Sequence, residues 1–256
     1  LKKILNLSKK LEIYDEIPEL LSVSLGSAET TLLNLTAAYA SFVNGGKKIN
    51  PNLFNKIQDR RGKTIFISNK TECNGCKDLS TETNSFPQLI IKQEKVFSEE
   101  TAYQITSILQ GAVLRGTGKK LRSLNVPLAG KTGTTNNNFD AWFVGFSSNL
   151  VVGVYVGFDQ PKTLGKTETG SKAALPIFKE FMQTTLDSKD FKEFNIPNNI
   201  YFASIDYNTG KKSDLKSNDK NIILESFKNN DINNLGNYKL NNTNNYDTLV
   251  KFRQFY

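Results

Sequence analysis

Histidine is absent from the 256 residues, and cysteine occurs only twice. Cys73 and Cys76 cannot alone supply the four donors of a structural zinc site, so neither a metal nor a cofactor is expected. No apolar run approaches the roughly 20 residues that a membrane-crossing helix requires; the longest, Leu150 to Phe158, falls far short. Nor does the N-terminus show the charged, apolar and small-residue succession of a secretory signal. The first residue is Leu1 and not Met, so the chain reads as a piece of a longer protein whose targeting segment, if any, lies upstream. Collagen-like periodicity and internal repeats are also missing.

What remains is a globular composition. A 38% hydrophobic content suffices for a sizeable core in one domain or two. The formal net charge of +8 invites a nucleic-acid reading. The lysines, however, are scattered among acids such as Glu94, Glu99, Glu100 and Asp187, and no recognition helix or stacking platform is discernible. A basic, solvated surface near anionic polymer or lipid is the better reading, and no nucleic acid is expected. The pair Cys73-Asn74-Gly75-Cys76 can be a redox couple, a local disulfide or two free thiols. Its polar surroundings lack a strand-to-helix context, which favours a local disulfide pinning an excursion in an oxidising compartment. So short a loop adds little chain entropy.

The most informative stretch is Leu128 to Phe146. It opens with Lys131-Thr132-Gly133-Thr134, an amine and two hydroxyls around a glycine, which suits an anion-binding strand edge: Gly133 admits close approach, Lys131 supplies charge and the threonines supply donors. Ala141 to Phe146 and Leu150 to Phe158 are aromatic and β-branched, so the three runs predict an antiparallel meander.

Upstream, Leu1 to Tyr14 is expected to be helical, with Pro18 as a break. A helix through Leu32 to Phe42, capped by Ser27 or Thr30, should end at Asn44-Gly45-Gly46. A hairpin is expected from Ile49 to Ile57 and Lys63 to Ile67, with Pro51 marking an edge. Residues 68–88 read as a polar loop, and Leu89 to Val96 as a short strand. Ser98 should cap a helix carrying Glu99 and Glu100 in its first turn. Downstream, Ala173 to Leu186 reads as an amphipathic helix with Pro176 in its first turn. Residues 1–210 then form the folded portion, and 211–256 a polar, disordered tail.

Lys131-Thr132-Gly133 is one of three signatures of class A β-lactamases and penicillin-binding proteins. Its neighbours extend the match: Gln110-Gly111, Arg115-Gly116-Thr117-Gly118, Phe139 to Phe146, Val156-Gly157-Phe158-Asp159, Glu168-Thr169-Gly170-Ser171, Ser24 to Ser27 and Ile205 to Gly210. In this order they resemble the C-terminal half of the transpeptidase domain of bifunctional class A penicillin-binding proteins, over roughly residues 15 to 212. The resemblance implies an α+β fold, a partial serine-transpeptidase/β-lactamase-like domain with an antiparallel sheet flanked by helices and its N-terminal part missing. It also implies that Lys131 sets a positive potential and hydrogen-bonds a proton relay, that Thr132 and Thr134 bind the terminal carboxylate of a D-Ala-D-Ala stem peptide or of a β-lactam, and that the Thr134 N–H is an oxyanion donor.

In the family the nucleophile and relay motifs precede Ser24, which here places both before Leu1. Ser213-Asp214-Leu215-Lys216, Ser217-Asn218-Asp219-Lys220 and Ser123-Leu124-Asn125 are read as chance matches. Partners are then the stem peptide, β-lactams and the absent N-terminal half; the parent would sit on the periplasmic face of the bacterial inner membrane, anchored only by that absent part, and could also polymerise glycan strands. Two alternatives stay open: an inactive remnant or interaction module, and a serine β-lactamase, which the hairpin and the long spacing to Lys131 disfavour.

Overall fold

The computed structural model describes residues 1–14, 16–68, 72–74, 88–90, 93–186, 192–213 and 221–228. Helix α1 (Lys2–Lys10) is followed by a 3₁₀ turn at Leu21–Leu25 and by α2 (Leu32–Val43). The cap of α2 is Thr31, whose hydroxyl accepts the Asn34 N–H at 3.1 Å. That is one residue beyond the expected position, because the Thr30 hydroxyl instead donates to the Ile13 carbonyl. Asn44 ends α2, and Gly45 and Gly46 turn the chain with φ of 62° and 83°.

Strands β1 (Lys56–Gln58) and β2 (Thr64–Ile67) form the expected hairpin, but β1 is shorter than predicted. The residues before it are diverted: Lys47 bridges to Lys95, and the Lys48 N–H donates to the Glu94 carbonyl at 2.8 Å. Short strands β3 (Glu72–Asn74) and β4 (Gln88–Ile90) pair antiparallel, with Cys73 opposite Leu89. The stretch read as a polar loop thus holds a strand; of the strand expected from Leu89 to Val96, Leu89 and Ile90 lie in β4 and Lys95 forms the bridge to Lys47, while residues 91–92 lie outside the described residues. Cys76 lies outside the described residues, and with it the expected disulfide.

Helix α3 (Glu99–Leu114) starts as its cap predicts: the Ser98 hydroxyl accepts the Thr101 N–H at 3.3 Å, and Glu99 and Glu100 occupy the first turn. Bonding to Ser98, first among several contacts, lowers the Glu100 pKa. A 3₁₀ turn, Lys119–Leu124, then leads into the meander β5 (Ala129–Thr134), β6 (Ala141–Phe146) and β7 (Val151–Val156), ordered β5-β6-β7. Successive side chains on β6 alternate between two cores. Ala141 and Phe143 join Leu175, Phe178 and Met182 of α4 (Ala174–Thr185), while Phe146 joins Tyr103 and Leu109 of α3. The sheet is therefore covered by α4 on one face and by α2 and α3 on the other. Gly145 makes room for this, since a Cβ there would lie 2.8 Å from the Phe178 ring.

The tail expectation needs correction. Strand β8 (Ile200–Asp206) pairs along its length with β9 (Ile222–Lys228), inside the segment read as disordered. The Asn- and Lys-rich flanks dilute Ile222-Ile223-Leu224 and Phe227 in any composition window, yet Ile222 and Ile223 are buried in the hairpin. The Gln104 side chain donates to the Ser226 carbonyl at 3.2 Å, which ties β9 to α3.

Several large apolar side chains are left open. Leu25 is 91% and Leu53 98% exposed, and Leu21, Leu33, Ile177 and Phe181 are also uncovered. On α4 the exposed Ile177 and Phe181 lie one turn apart, beside the buried pair Phe178 and Met182, so the helix is apolar on two sides. Sedimentation of the isolated chain is expected to show concentration-dependent association, and a monodisperse monomer would contradict this. Phe178→Ala should cost about 3–5 kcal/mol in urea denaturation, as for other buried phenylalanines.

Candidate functional site

Strand β5 is at the edge of the meander. It pairs with β6 through Lys131↔Val144, Thr132↔Phe143, Gly133↔Trp142 and Thr134↔Ala141, and has no strand partner on its other side among the described residues. An unpaired edge offers backbone donors and acceptors to an extended ligand. The pleat puts Thr132 and Thr134 on one side of the strand. Lys131 and Thr134 are exposed, and Thr132 and Gly133 half-buried. The Lys131 ammonium donates to the Thr132 carbonyl at 2.8 Å, which holds it along the strand.

Two segments far apart in sequence back this strand. The first follows α3. The Gly118 N–H reaches back to the Ala112 carbonyl at 3.0 Å, and a Cβ on Gly116 would meet that same carbonyl at 2.8 Å, so the chain folds tightly over the helix end. This turn sets the Thr117 and Thr132 hydroxyl oxygens 2.9 Å apart, with either able to donate. Arg115 extends over Gly111, where a Cβ would lie 2.6 Å from its guanidinium, and pairs with Glu225 of β9 at 3.1 Å. Burial raises the Glu225 pKa, and Arg115 opposes the rise.

The second segment precedes α4. The Gly170 N–H donates to the Thr134 hydroxyl at 3.0 Å. A Cβ on Gly170 would lie 2.5 Å from both the Gly133 and Trp142 carbonyl oxygens, so this residue crosses the paired strands at the closest approach a backbone allows. Bonds from Ala173 N–H to the Thr169 carbonyl and from Leu175 N–H to the Gly170 carbonyl fasten it to the start of α4.

The turn between β5 and β6 is equally tied down. Thr135 accepts the Asp140 N–H at 2.9 Å, and the Asn138 amide donates to the Gly165 and Lys166 carbonyls at 3.0 and 3.1 Å. Tyr155 donates to Asp140 at 2.8 Å, a bond that raises the Tyr155 pKa, and its ring lies 4.8 Å from that of Trp142.

The structure thus brings Lys131, Thr132, Gly133 and Thr134 together on one edge. Sequence reasoning assigned no role to Thr117 or Gly170; the glycines flanking Thr117 were the available signal. Ser123 lies in the 3₁₀ turn and its hydroxyl donates to the Lys120 carbonyl at 3.2 Å. Residues 214–220 of the other two serine matches lie outside the described residues. A cavity of about 260 Å³, lined by Phe42, Tyr103, Thr106 and Phe194 among others, includes no β5 residue in its walls. Among the described residues no three metal-ligating side chains cluster, and no helix is long and apolar enough to cross a membrane.

The Glu225 carboxyl has its pKa raised above the ordinary 4.5 in the folded state. Folding therefore binds its proton more tightly, so this group adds stability as pH falls from neutral through the raised value toward 4.5. Glu225→Gln should remove that component from the pH dependence of the urea midpoint; an unchanged slope would contradict the assignment.

Residues 17–183 match the family model described as the penicillin binding protein transpeptidase domain. Over 234 residues the chain is 41% identical to penicillin-binding protein 1A of Rickettsia typhi, covering 91% of this chain and 29% of that protein. The chain accordingly spans less than a third of the length of that curated relative. Among solved structures it is similar to penicillin-binding protein 1A from Haemophilus influenzae, at 33% identity and a TM-score of 0.69, covering 86% of this chain and 35% of that one. The PonA1 protein from Mycobacterium tuberculosis in complex with penicillin V shares the fold at 21% identity and a TM-score of 0.54, covering 75% of this chain and 51% of that one.

Proposed function

Because the chain belongs to the penicillin-binding protein transpeptidase family, we propose that it forms the substrate-carboxylate and oxyanion side of a D,D-transpeptidase site in cell-wall synthesis. The nucleophilic serine, its lysine and the relay serine are carried by a segment outside this chain. The observation that supports this reading is the edge strand β5, which presents an ammonium and two backed hydroxyls beside unpaired backbone.

In the reaction proposed, the serine hydroxyl attacks the carbonyl of the penultimate D-alanine. The oxygen of that carbonyl gains negative charge, which the Thr134 N–H stabilises as one of two donors. The C–N bond breaks, the serine proton passes through the relay to the departing nitrogen, and free D-alanine leaves an acyl-enzyme. An amine of a second stem peptide then attacks the ester, forms the cross-link and restores the serine. Lys131 raises the local positive potential and hydrogen-bonds the relay, while Thr132 and Thr134 hold the terminal carboxylate and so place the scissile bond. A β-lactam enters as a mimic of the same dipeptide. The parent acts at the periplasmic face of the inner membrane, held by an anchor outside this chain, and also polymerises glycan.

Labelling with a fluorescent penicillin, followed by denaturing electrophoresis, tests this. The isolated chain is expected to give no covalent band. Co-expression with the upstream segment should restore a band on that segment, and Lys131→Ala should weaken it by at least tenfold. A covalent band on the isolated chain would place the nucleophile within these residues and overturn the proposal.

A further inference from the structure

Thr132 and Thr134 share a feature that a bare pair of surface threonines would lack: each hydroxyl oxygen has a hydrogen-bond partner from outside the strand. Thr134 accepts the Gly170 N–H at 3.0 Å, and Thr132 lies 2.9 Å from the Thr117 hydroxyl. A hydroxyl carries one hydrogen and two acceptor lone pairs. For Thr134 the direction is settled, because a backbone N–H can only donate. Its oxygen takes that N–H, so its own hydrogen remains to be given to another acceptor.

For Thr132 the direction depends on what lies in front. With a carboxylate there, Thr132 gives its hydrogen to the anion, which leaves Thr117 as the donor to Thr132. Such a chain polarises each bond in turn and strengthens the last one.

We propose that Thr117 and Gly170 are positioning residues that fix Thr132 and Thr134 as forward hydrogen donors, so that the β5 edge selects a ligand ending in a carboxylate over one ending in a carboxamide. This rests on the carboxylate reading of β5 given above and adds the residues that set its polarity. A carboxylate accepts at both oxygens, whereas a carboxamide presents an NH₂ group that has no acceptor to meet when both threonine hydrogens face it. The local construction supports the assignment. Thr117 is itself exposed, yet it stands between glycines whose Cβ atoms the end of α3 would not admit: 2.8 Å from the Ala112 carbonyl at Gly116, and 3.0 Å from the Val113 Cα at Gly118. Gly170 is likewise held where a side chain cannot go. Both supports come from outside the strand, one from each flanking helix, α3 and α4.

The test compares binding of acetyl-D-Ala-D-Ala and its C-terminal carboxamide to the 256-residue chain by ligand-observed NMR. The unsubstituted chain should prefer the acid. Thr117→Val, which keeps the shape and removes the hydroxyl, should lower acid affinity about fivefold to tenfold and leave the amide nearly unchanged. Thr117→Ser should restore the preference, and Gly170→Ala, which displaces the N–H from Thr134, should reduce it. A general loss of packing would weaken both ligands alike, so the acid-to-amide ratio separates positioning from structure.

In a Thr132→Val background, Thr117→Val should have no further effect. A full acid preference in Thr117→Val, or an additional loss in the double variant, would overturn the positioning role while leaving the carboxylate reading intact. An unsubstituted chain with no acid preference would overturn the carboxylate reading, and the positioning role with it.

Discussion

The register between β5 and β6 is the constraint on which the rest depends. By setting Gly133 opposite Trp142 and Thr134 opposite Ala141, it decides which carbonyl oxygens stand beneath Gly170 and which hydroxyl meets the Gly170 N–H. A one-residue slip would exchange the two faces of β5. Thr132 and Thr134 would turn away from Thr117 and Gly170, and Ala129 would leave the core it shares with Phe146 and Leu109. Core packing on the α3 side and the polarity of the site are thus held by the same ladder. Strong specification of the register by buried aromatics is what allows an edge strand with exposed polar residues to keep a defined geometry.

Much of this was legible from local chemistry. The meander, the Ser98 cap with its acidic first turn, and Pro176 at the start of α4 all follow from side chains that act on their own neighbours. The misreadings share a different cause. Thr31 rather than Thr30 caps α2 because Thr30 is engaged with Ile13, seventeen residues away in sequence. Strand β9 was hidden because its apolar residues find their partners in β8 and α3, while its flanks are rich in Asn and Lys. The roles of Thr117 and Gly170 are likewise tertiary: spacings of 15 and 36 residues to the threonines they touch carry no periodic signal. Lys131 to Thr134 could be named from the chain, but the groups that aim them could not.

The architecture also accounts for a chain that is well packed at its site and open elsewhere. The sheet is covered on both faces by α2, α3 and α4, yet Ile177 and Phe181 on the outer side of α4, and Leu21, Leu25 and Leu33 near α2, are exposed. The chain spans 29% of the length of its Rickettsia typhi relative. Exposed apolar surface of this kind stabilises association and not the isolated fold. On the proposed function, a substrate-binding side and a nucleophile supplied from another segment would assemble through hydrophobic contact without rebuilding β5.

The central claim is that the β5 edge, with its two supports, is where the ligand's carboxylate binds. Backbone amide shifts of the isotopically labelled chain, followed as acetyl-D-Ala-D-Ala is added, test this most directly. The account predicts that the moving resonances cluster at Lys131 to Thr134 and extend to Thr117 and Gly170. Shifts confined to the cavity beside Phe42 and Tyr103, or none along β5 at saturating ligand, would contradict it.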